Sequence, residues 1–195
     1  QDFDSNEGDS KPEKSLVEKL QEAFSNPDVI GYIYYPEASI SYPIVQGSDN
    51  EEYLRKNING DYSPNGSIFL DSSNSSNFTD VGSVIYGHHM RNGDMFGRLE
   101  SSYSLGDTFV IYTRTSKLSY RVVSREVLNP EDTIAILCKG NDTSAEDFKE
   151  RLSKYTDECS FGEDRGKYAT LVTCHYEGGN TIRCGITGAL IKEEI

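Results

Sequence analysis

The sequence contains no tryptophan, and only three histidines, two methionines and four cysteines. The cysteines lie at positions 138, 159, 174 and 184, and their spacing matches no common zinc-binding pattern. No apolar run approaches the roughly 18 residues of a membrane helix, and no signal peptide is visible. We therefore expect the chain as given to be soluble, with any membrane anchor lying outside it.

Positive charge is also scarce, with 19 Lys and Arg against 32 Asp and Glu, for a net charge of −13. This balance argues against a nucleic-acid partner, because phosphates would be repelled. The 195 residues suit one domain with a sizeable core. The 13 Tyr and eight Phe residues are typical of a β-rich protein.

Segments rich in β-branched and aromatic residues alternate with turn residues along most of the chain. The predicted strands are 29–35, 40–45, 66–70, 82–86, 108–113, 117–128, 133–138, 170–174 and 181–191. Predicted helices are few and short: 15–25, 50–58, 95–103 and 144–158. This succession favours a mainly β fold, a closed or nearly closed barrel. Residues 1–14 are predicted to be a flexible polar tail or spacer, and 15–195 a single domain.

The most informative stretch is 168–191. Thr170 to Cys174 is predicted to be a strand that stops at the cysteine, and residues 177–180, Glu-Gly-Gly-Asn, supply turn chemistry. The returning strand carries Arg183 near its start, so a hairpin brings the guanidinium close to the thiol. A guanidinium beside a thiol favours the nucleophilic thiolate.

The other cysteines lack this setting. Cys184 follows Arg183 on the strand, points to the opposite face and is expected in the core. Cys138 and Cys159 flank the predicted helix 144–158, and are either a disulfide or two free thiols. Cys174 is therefore the predicted nucleophile.

A cysteine nucleophile needs a proton donor and acceptor, and two of the three histidines, His88 and His89, follow the apolar run 82–86. Composition alone does not distinguish these two. The third, His175, adjoins Cys174, where it either tunes the thiol and its pocket or is a solvated loop residue.

These residues carry a family resemblance. Thr170-Leu171-Val172-Thr173-Cys174 resembles the Thr-Leu-x-Thr-Cys motif of sortases, the cysteine transpeptidases of Gram-positive cell surfaces. Tyr86-Gly87-His88 resembles their histidine motif, which selects His88 over His89, and Arg183 resembles their arginine. The flanking residues are similar to class B sortases in particular: His88-His89-Met90, Asn92-Gly93 and Met95-Phe96-Gly97. The likeness runs from about residue 31 to the C-terminus.

The resemblance implies an eight-stranded barrel with an N-terminal helix and a helix inserted before the cysteine strand, for which 144–158 is the candidate. It implies that Cys174, His88 and Arg183 are catalytic and that no metal or organic cofactor is needed. It places four residues in the substrate groove: Asn50, Leu54, Tyr86 and Thr173.

The partners implied are a sorting-signal peptide of a surface protein and an amine, from a peptidoglycan cross-bridge or a pilin lysine. The implied location is the extracellular face of the cell membrane. The separation between Cys174 and Arg183 is somewhat similar to that in pilin-polymerising sortases. Pilus polymerisation therefore stays open as a role beside cell-wall anchoring. Two readings from other classes also stay open: a cysteine hydrolase, and a non-catalytic β-barrel binding module in which Cys174 is inert.

Overall fold

The computed structural model describes residues 13–131, 144–156, 158–177 and 180–195, with 174–177 and 180–181 described by their backbone only. Its strands, in chain order from β1 to β8, are Val29–Tyr35, Ile40–Val45, Ile68–Leu70, Gly82–Tyr86, Thr108–Tyr112, Lys117–Leu128, Tyr168–Glu177 and Asn180–Glu194. The helical elements are α1 (Leu16–Phe24), a 3₁₀ turn (Glu52–Leu54), α2 (Leu99–Ser102) and α3 (Ala145–Ser153).

The eight strands close into one barrel in the order β1-β2-β3-β4-β7-β8-β6-β5. Two neighbouring pairs, β2 with β3 and β4 with β7, are parallel, and the other pairs are antiparallel. The predicted mainly β, eight-stranded barrel is confirmed. Because β4 and β7 run in the same direction, their C-terminal ends lie at the same edge of the sheet.

The core follows the alternation of side chains along each strand. In β1, Ile33 and Tyr35 are fully buried, whereas Tyr34 between them is 44% exposed. Inside the barrel, the ring of Phe109 stacks on that of Tyr120 with centroids 5.3 Å apart. The same interior cluster contains Cys184 at 0% exposure, which confirms its predicted place in the core.

Two helices lie outside this core, and each begins after a serine that caps it. Ser15 and Glu18 form a reciprocal capping box at the start of α1, and Val17 buries the helix against the barrel. At the start of α3, the Ser144 hydroxyl accepts from the backbone N–H of Asp147 at 3.1 Å. α3 ends at Ser153 rather than at 158. It is the helix expected before the cysteine strand.

The predicted helix over residues 50–58 is wrong, since only the 3₁₀ turn Glu52–Leu54 forms there. A longer α-helix would need the carbonyls of Tyr53 and Leu54 for its own hydrogen bonds. These carbonyls instead accept from the Ser67 amide at 3.0 Å and from His88 Nε2 at 2.8 Å. The Tyr53 ring is also pulled into the core, at 1% exposure.

Other predicted bounds shift. The predicted helix 95–103 is reduced to α2, and the predicted strand 66–70 begins only at Ile68. The cysteine strand does not stop at Cys174 but continues to Glu177. The predicted strand 133–138, with Cys138, and most of the predicted tail 1–14 lie outside the described residues.

A buried polar ladder crosses three neighbouring strands. Glu126 on β6 is 0% exposed, and its carboxylate accepts from the hydroxyls of Ser124 and Thr187. Thr187 on β8 in turn lies 2.9 Å, oxygen to oxygen, from Thr170 on β7. Burial raises the pKa of Glu126 to about 7, because the two neutral hydroxyls and the adjacent Arg125 only partly offset the desolvation of its charge.

This pKa predicts an unusual pH dependence of stability. The pKa of Glu126 is higher in the folded chain than its ordinary value of 4.5, so the folded state binds the extra proton between these values. The free energy of unfolding should therefore fall as pH rises through this window, by about 1–3 kcal/mol from this group. Urea denaturation of wild type and Glu126→Gln at pH 5 and pH 8 measures the loss. The variant should lose less than wild type, and an equal loss in both would contradict the assignment.

Candidate active site

The site begins where β4 ends beside β7. Tyr86 pairs with Val172 in parallel register, and the Gly87 amide continues the ladder by donating to the Val172 carbonyl at 3.1 Å. Position 87 requires glycine, because a Cβ there would lie 2.6 Å from Ile68 Cδ1 and 2.7 Å from the Phe96 ring. This tight passage delivers His88 beside the cysteine strand.

Cys174 and Arg183 lie directly opposite each other in the antiparallel pair of β7 and β8. The hairpin closes at the pair Glu177 and Asn180, which leaves Gly178 and Gly179 between them, outside the described residues. Residues directly opposite share one face of a sheet. The predicted approach of Cys174 and Arg183 is confirmed at the level of the backbone, although the strand continues past Cys174 and His175 belongs to it rather than to a loop.

A cavity of about 240 Å³ opens at this point. It is mostly apolar, with a few polar and charged groups, as small binding sites commonly are. Its lining residues come from the 3₁₀ turn and from β3, β4, β7 and β8: Leu54, Arg55, Ser67, Phe69, Tyr86, Gly87, His88, Val172, Thr173 and Arg183. Five of the seven site residues predicted from the sequence thus lie on one cavity. Cys174 follows the lining residue Thr173 in the chain and pairs with the lining residue Arg183 across the hairpin.

Among the described residues, one polar contact orients the ring of His88. Its Nε2 lies 2.8 Å from the Leu54 carbonyl oxygen. A carbonyl can only accept, so Nε2 must carry a proton. Nδ1 is then the ring nitrogen left to take up or release a proton.

The neighbouring His89 is arranged differently. It does not line the cavity, its backbone pairs with Met95, and its Nδ1 is buried without a hydrogen-bond partner among the described residues. The geometry therefore agrees with the choice of His88 made from the Gly-His motif.

Tyr86 forms one wall of the cavity. Its ring packs on Phe69 with centroids 5.1 Å apart, and its hydroxyl donates to Asp71 Oδ2 at 3.1 Å. Asn50 does not line the cavity, but its side-chain amide donates to the same carboxylate oxygen at 2.8 Å. Asn50 is thus connected to the cavity wall through Asp71, which also binds the hydroxyl of Tyr86.

Thr173 is 2% exposed, and its hydroxyl has no hydrogen-bond partner among the described residues. Buried hydroxyls are normally satisfied, so an unsatisfied one in a cavity wall is notable. A polar group entering the cavity would be a natural partner for it.

The described cysteines other than Cys174 have no such setting. Burial raises the pKa of Cys184 to about 12, which keeps this thiol protonated and inert. Cys159 is exposed and free, away from the cavity lining, and Cys138, its candidate disulfide partner, lies outside the described residues.

Sequence reasoning missed Arg55, Ser67, Phe69 and, above all, Asp71. A usable signal for Asp71 was present, since an acidic residue directly follows the buried run 68–70. Within the described residues, no cluster of His, Cys, Asp and Glu is arranged to hold a metal ion. In that same part of the chain, none of the helices has the length and apolarity that crossing a bilayer would take.

Comparison with known proteins decides the family, because the model of the sortase domain matches residues 33–190. The chain belongs to the sortase family. It is 30% identical to Sortase B of Listeria monocytogenes over 95% of this chain and 77% of that protein. Sortases are cysteine transpeptidases of the cell surface, and the relatives place this one among the class B sortases.

The solved structures agree. Clostridium perfringens sortase B superposes with a TM-score of 0.76 at 29% identity, covering 90% of this chain and 99% of that one. A class B sortase of Streptococcus pyogenes, described as involved in pilus biogenesis, gives a TM-score of 0.73 at 26% identity over 90% of this chain and 98% of that one.

The two adjacent histidines provide a direct test of this geometry. His88→Ala should lower the turnover of a cleavable sorting peptide by about 10²–10⁴-fold, because general acid–base catalysis is worth that much. His89→Ala is the matched control and should retain most activity. The measurement is kcat for both variants, and a loss at position 89 equal to or larger than that at 88 would overturn the choice of His88.

Proposed function

We propose that Cys174, His88 and Arg183 are the catalytic residues of this sortase, which cleaves a C-terminal sorting motif after its Thr and passes the acyl group to an amine. The observation that carries the proposal is the convergence of two backbone registers. In the β7–β8 hairpin Cys174 lies opposite Arg183, and the parallel β4–β7 pair ends with Tyr86 beside Val172, so His88 and Cys174 each follow this last pair by two residues.

In the first half-reaction, the Cys174 thiolate attacks the carbonyl carbon of the motif's Thr. A C–S bond forms, the carbonyl oxygen becomes an oxyanion, and the scissile C–N bond then breaks to leave a thioester. The leaving amine takes a proton from His88. In the second half-reaction, the incoming amine attacks the thioester, His88 takes its proton, and the thiolate of Cys174 is released.

The contact of His88 with Leu54 supports this assignment. The Leu54 carbonyl can accept a hydrogen bond from Nε2–H in both the neutral and the protonated imidazole, so the contact need not break during the cycle. Proton transfer then runs through Nδ1. Fixing one nitrogen in this way also fixes the plane of the ring.

Arg183 is suited to holding the substrate carbonyl and the oxyanion. Apolar residues alternate along this part of β8 at Ile182, Cys184 and Ile186, and the last two lie in the core. Arg183, between the first two, lines the cavity. A guanidinium offers several donors in a fixed plane, which suits an oxygen whose charge grows in the transition state.

The cavity suits a short peptide. Leu54, Phe69 and Val172 supply apolar surface, and the Thr173 hydroxyl is available to a polar group of the substrate. We assign Leu54, Tyr86 and Thr173 to direct substrate contact. Asn50 belongs to substrate binding through the carboxylate that it shares with Tyr86.

The acceptor amine comes from a peptidoglycan cross-bridge or from a pilin lysine. Similarity to the Streptococcus pyogenes enzyme involved in pilus biogenesis keeps the second source open. The enzyme acts at the extracellular face of the membrane, with residues 1–14 as a spacer and 15–195 as the catalytic domain. Incubating the enzyme with a sorting peptide, with and without an added amine, separates a transferase from a hydrolase by its products.

The nucleophile is tested by Cys174→Ala, which removes only the sulfur and should abolish cleavage while the thermal unfolding curve stays close to that of wild type. Cys159→Ala is the matched control, because that thiol is exposed and free, and it should keep its turnover. Mass spectrometry of enzyme and sorting peptide should show the acyl-enzyme mass in wild type and in Cys159→Ala, but not in Cys174→Ala. Substantial cleavage by Cys174→Ala would refute the assignment.

The role of Arg183 is tested by Arg183→Lys, which keeps the charge but loses the planar fork. If Arg183 positions the oxyanion, kcat should fall by about 10²–10³-fold, while Cys174 still reacts with iodoacetamide at a near-normal rate. A parallel collapse of both rates would show that the charge of Arg183 stabilises the thiolate instead. Near-wild-type kcat would exclude the positioning role.

A further inference from the structure

Asp71 is a buried carboxylate just outside the cavity. It directly follows β3 and is 2% exposed. Oδ2 accepts from the Asn50 amide at 2.8 Å and from the Tyr86 hydroxyl at 3.1 Å. Oδ1 accepts from the backbone N–H of Ser73 at 2.9 Å and from its hydroxyl at 2.6 Å.

The backbone of Asp71 is fixed as well. Its amide donates to the Val84 carbonyl at 2.8 Å, and its carbonyl accepts from the Gln46 side chain at 2.9 Å. Asp71 therefore links β3, β4 and the segment between β2 and the 3₁₀ turn. Hydrogen bonds to a carboxylate are stronger than those between neutral groups, particularly where water is excluded.

Two structural routes lead from this carboxylate to His88. Along the first, Asp71 holds the hydroxyl of Tyr86, which ends β4 two residues before His88. Along the second, it holds the side chain of Asn50, which begins the segment that turns at Glu52–Leu54. That turn presents the Leu54 carbonyl to Nε2 of His88.

We propose that Asp71 is a positioning residue that sets the orientation of His88. Because it holds both the strand end that carries the imidazole and the turn that presents the carbonyl to it, Asp71 fixes the two ends of the His88–Leu54 contact together. The catalytic consequence rests on the proposed function, in which His88 transfers the proton.

A purely structural role is the alternative, and the chain offers a control for it. Asp80 lies in the same connection between β3 and β4, is 5% exposed, and accepts from the Asn74 side chain at 2.8 Å and the Ser75 amide at 2.7 Å. Both partners belong to that connection. The Asn74 side chain also contacts β4 at Gly82 and Val84, and the Asn74 amide donates to the Asp71 carbonyl, but neither of the two routes, which start from the Asp71 carboxylate, runs through Asp80 or Asn74. Loss of Asp80 therefore disturbs the connection without cutting those routes.

The experiment compares Asp71→Ala with Asp80→Ala. Crystal structures of both variants give the distance from His88 Nε2 to the Leu54 carbonyl oxygen, and steady-state kinetics give kcat and KM for a sorting peptide. In Asp71→Ala the contact should be lost and kcat should fall about 10–10²-fold, since a misplacement of about 1 Å can cost that much. Asp80→Ala should keep the contact and a near-wild-type kcat, even if its urea midpoint falls equally.

If Asp71→Ala fails to fold, the double variant Asn50→Ala/Tyr86→Phe cuts both routes and leaves the carboxylate in place. It should lose the same contact. An intact His88–Leu54 contact in the variant that folds, or its loss in Asp80→Ala as well, would overturn the positioning role. Loss of the contact with unchanged kcat would overturn the catalytic consequence of the positioning. Unchanged kcat in His88→Ala would refute the proposed function, so the two failures are distinguishable.

Discussion

The parallel pairing of β4 with β7 is the constraint on which the site depends. Parallel neighbours cannot be joined by a tight turn, and here the chain between them forms β5, β6 and α3 before it returns. The pairing brings His88 and Cys174, which are almost half the chain apart, to the same edge of one sheet. A slip of one residue would send every side chain of β7 to the opposite face, so the core that fixes this register also fixes the site.

Both faces of β7 pack against apolar clusters. Ala169 and Leu171 point into the barrel, whereas Tyr168 and Val172 pack into the second cluster beneath α3. With apolar contacts on both sides, the strand has one favourable register, and the polar pair Thr170 and Thr187 marks it further. The helix before the cysteine strand therefore contributes to the site by covering β7 rather than by touching the cavity.

Most of the barrel could be predicted from the sequence, because alternation in strands such as β1 and helix caps such as Ser15 are local signals. The hairpin approach of Cys174 to Arg183 followed from turn residues between two β-rich runs, and the family from the Gly-His and Thr-Cys motifs. The 3₁₀ turn could not be predicted in this way. Its helical pattern is overridden because the carbonyl oxygens of Tyr53 and Leu54 accept hydrogen bonds from two donors that are distant in sequence, Ser67 and His88, instead of from the next helical turn.

Asp71 and Glu126 show why buried polar groups were the hardest part to predict. Both carboxylates are almost fully buried, and the sequence marks a candidate only for Asp71, which directly follows the buried run 68–70. Their donors differ in kind. The Asp71 carboxylate accepts from the Asn50 amide, the Tyr86 hydroxyl and both the amide and the hydroxyl of Ser73. The Glu126 carboxylate accepts from the hydroxyls of Ser124 and Thr187 and from its own backbone amide. At Glu126, desolvation outweighs these donors and raises the pKa. The Asp71 carboxylate instead joins two segments beside the cavity. Both roles depend on contacts between residues that are distant in sequence, such as Thr187 with Glu126.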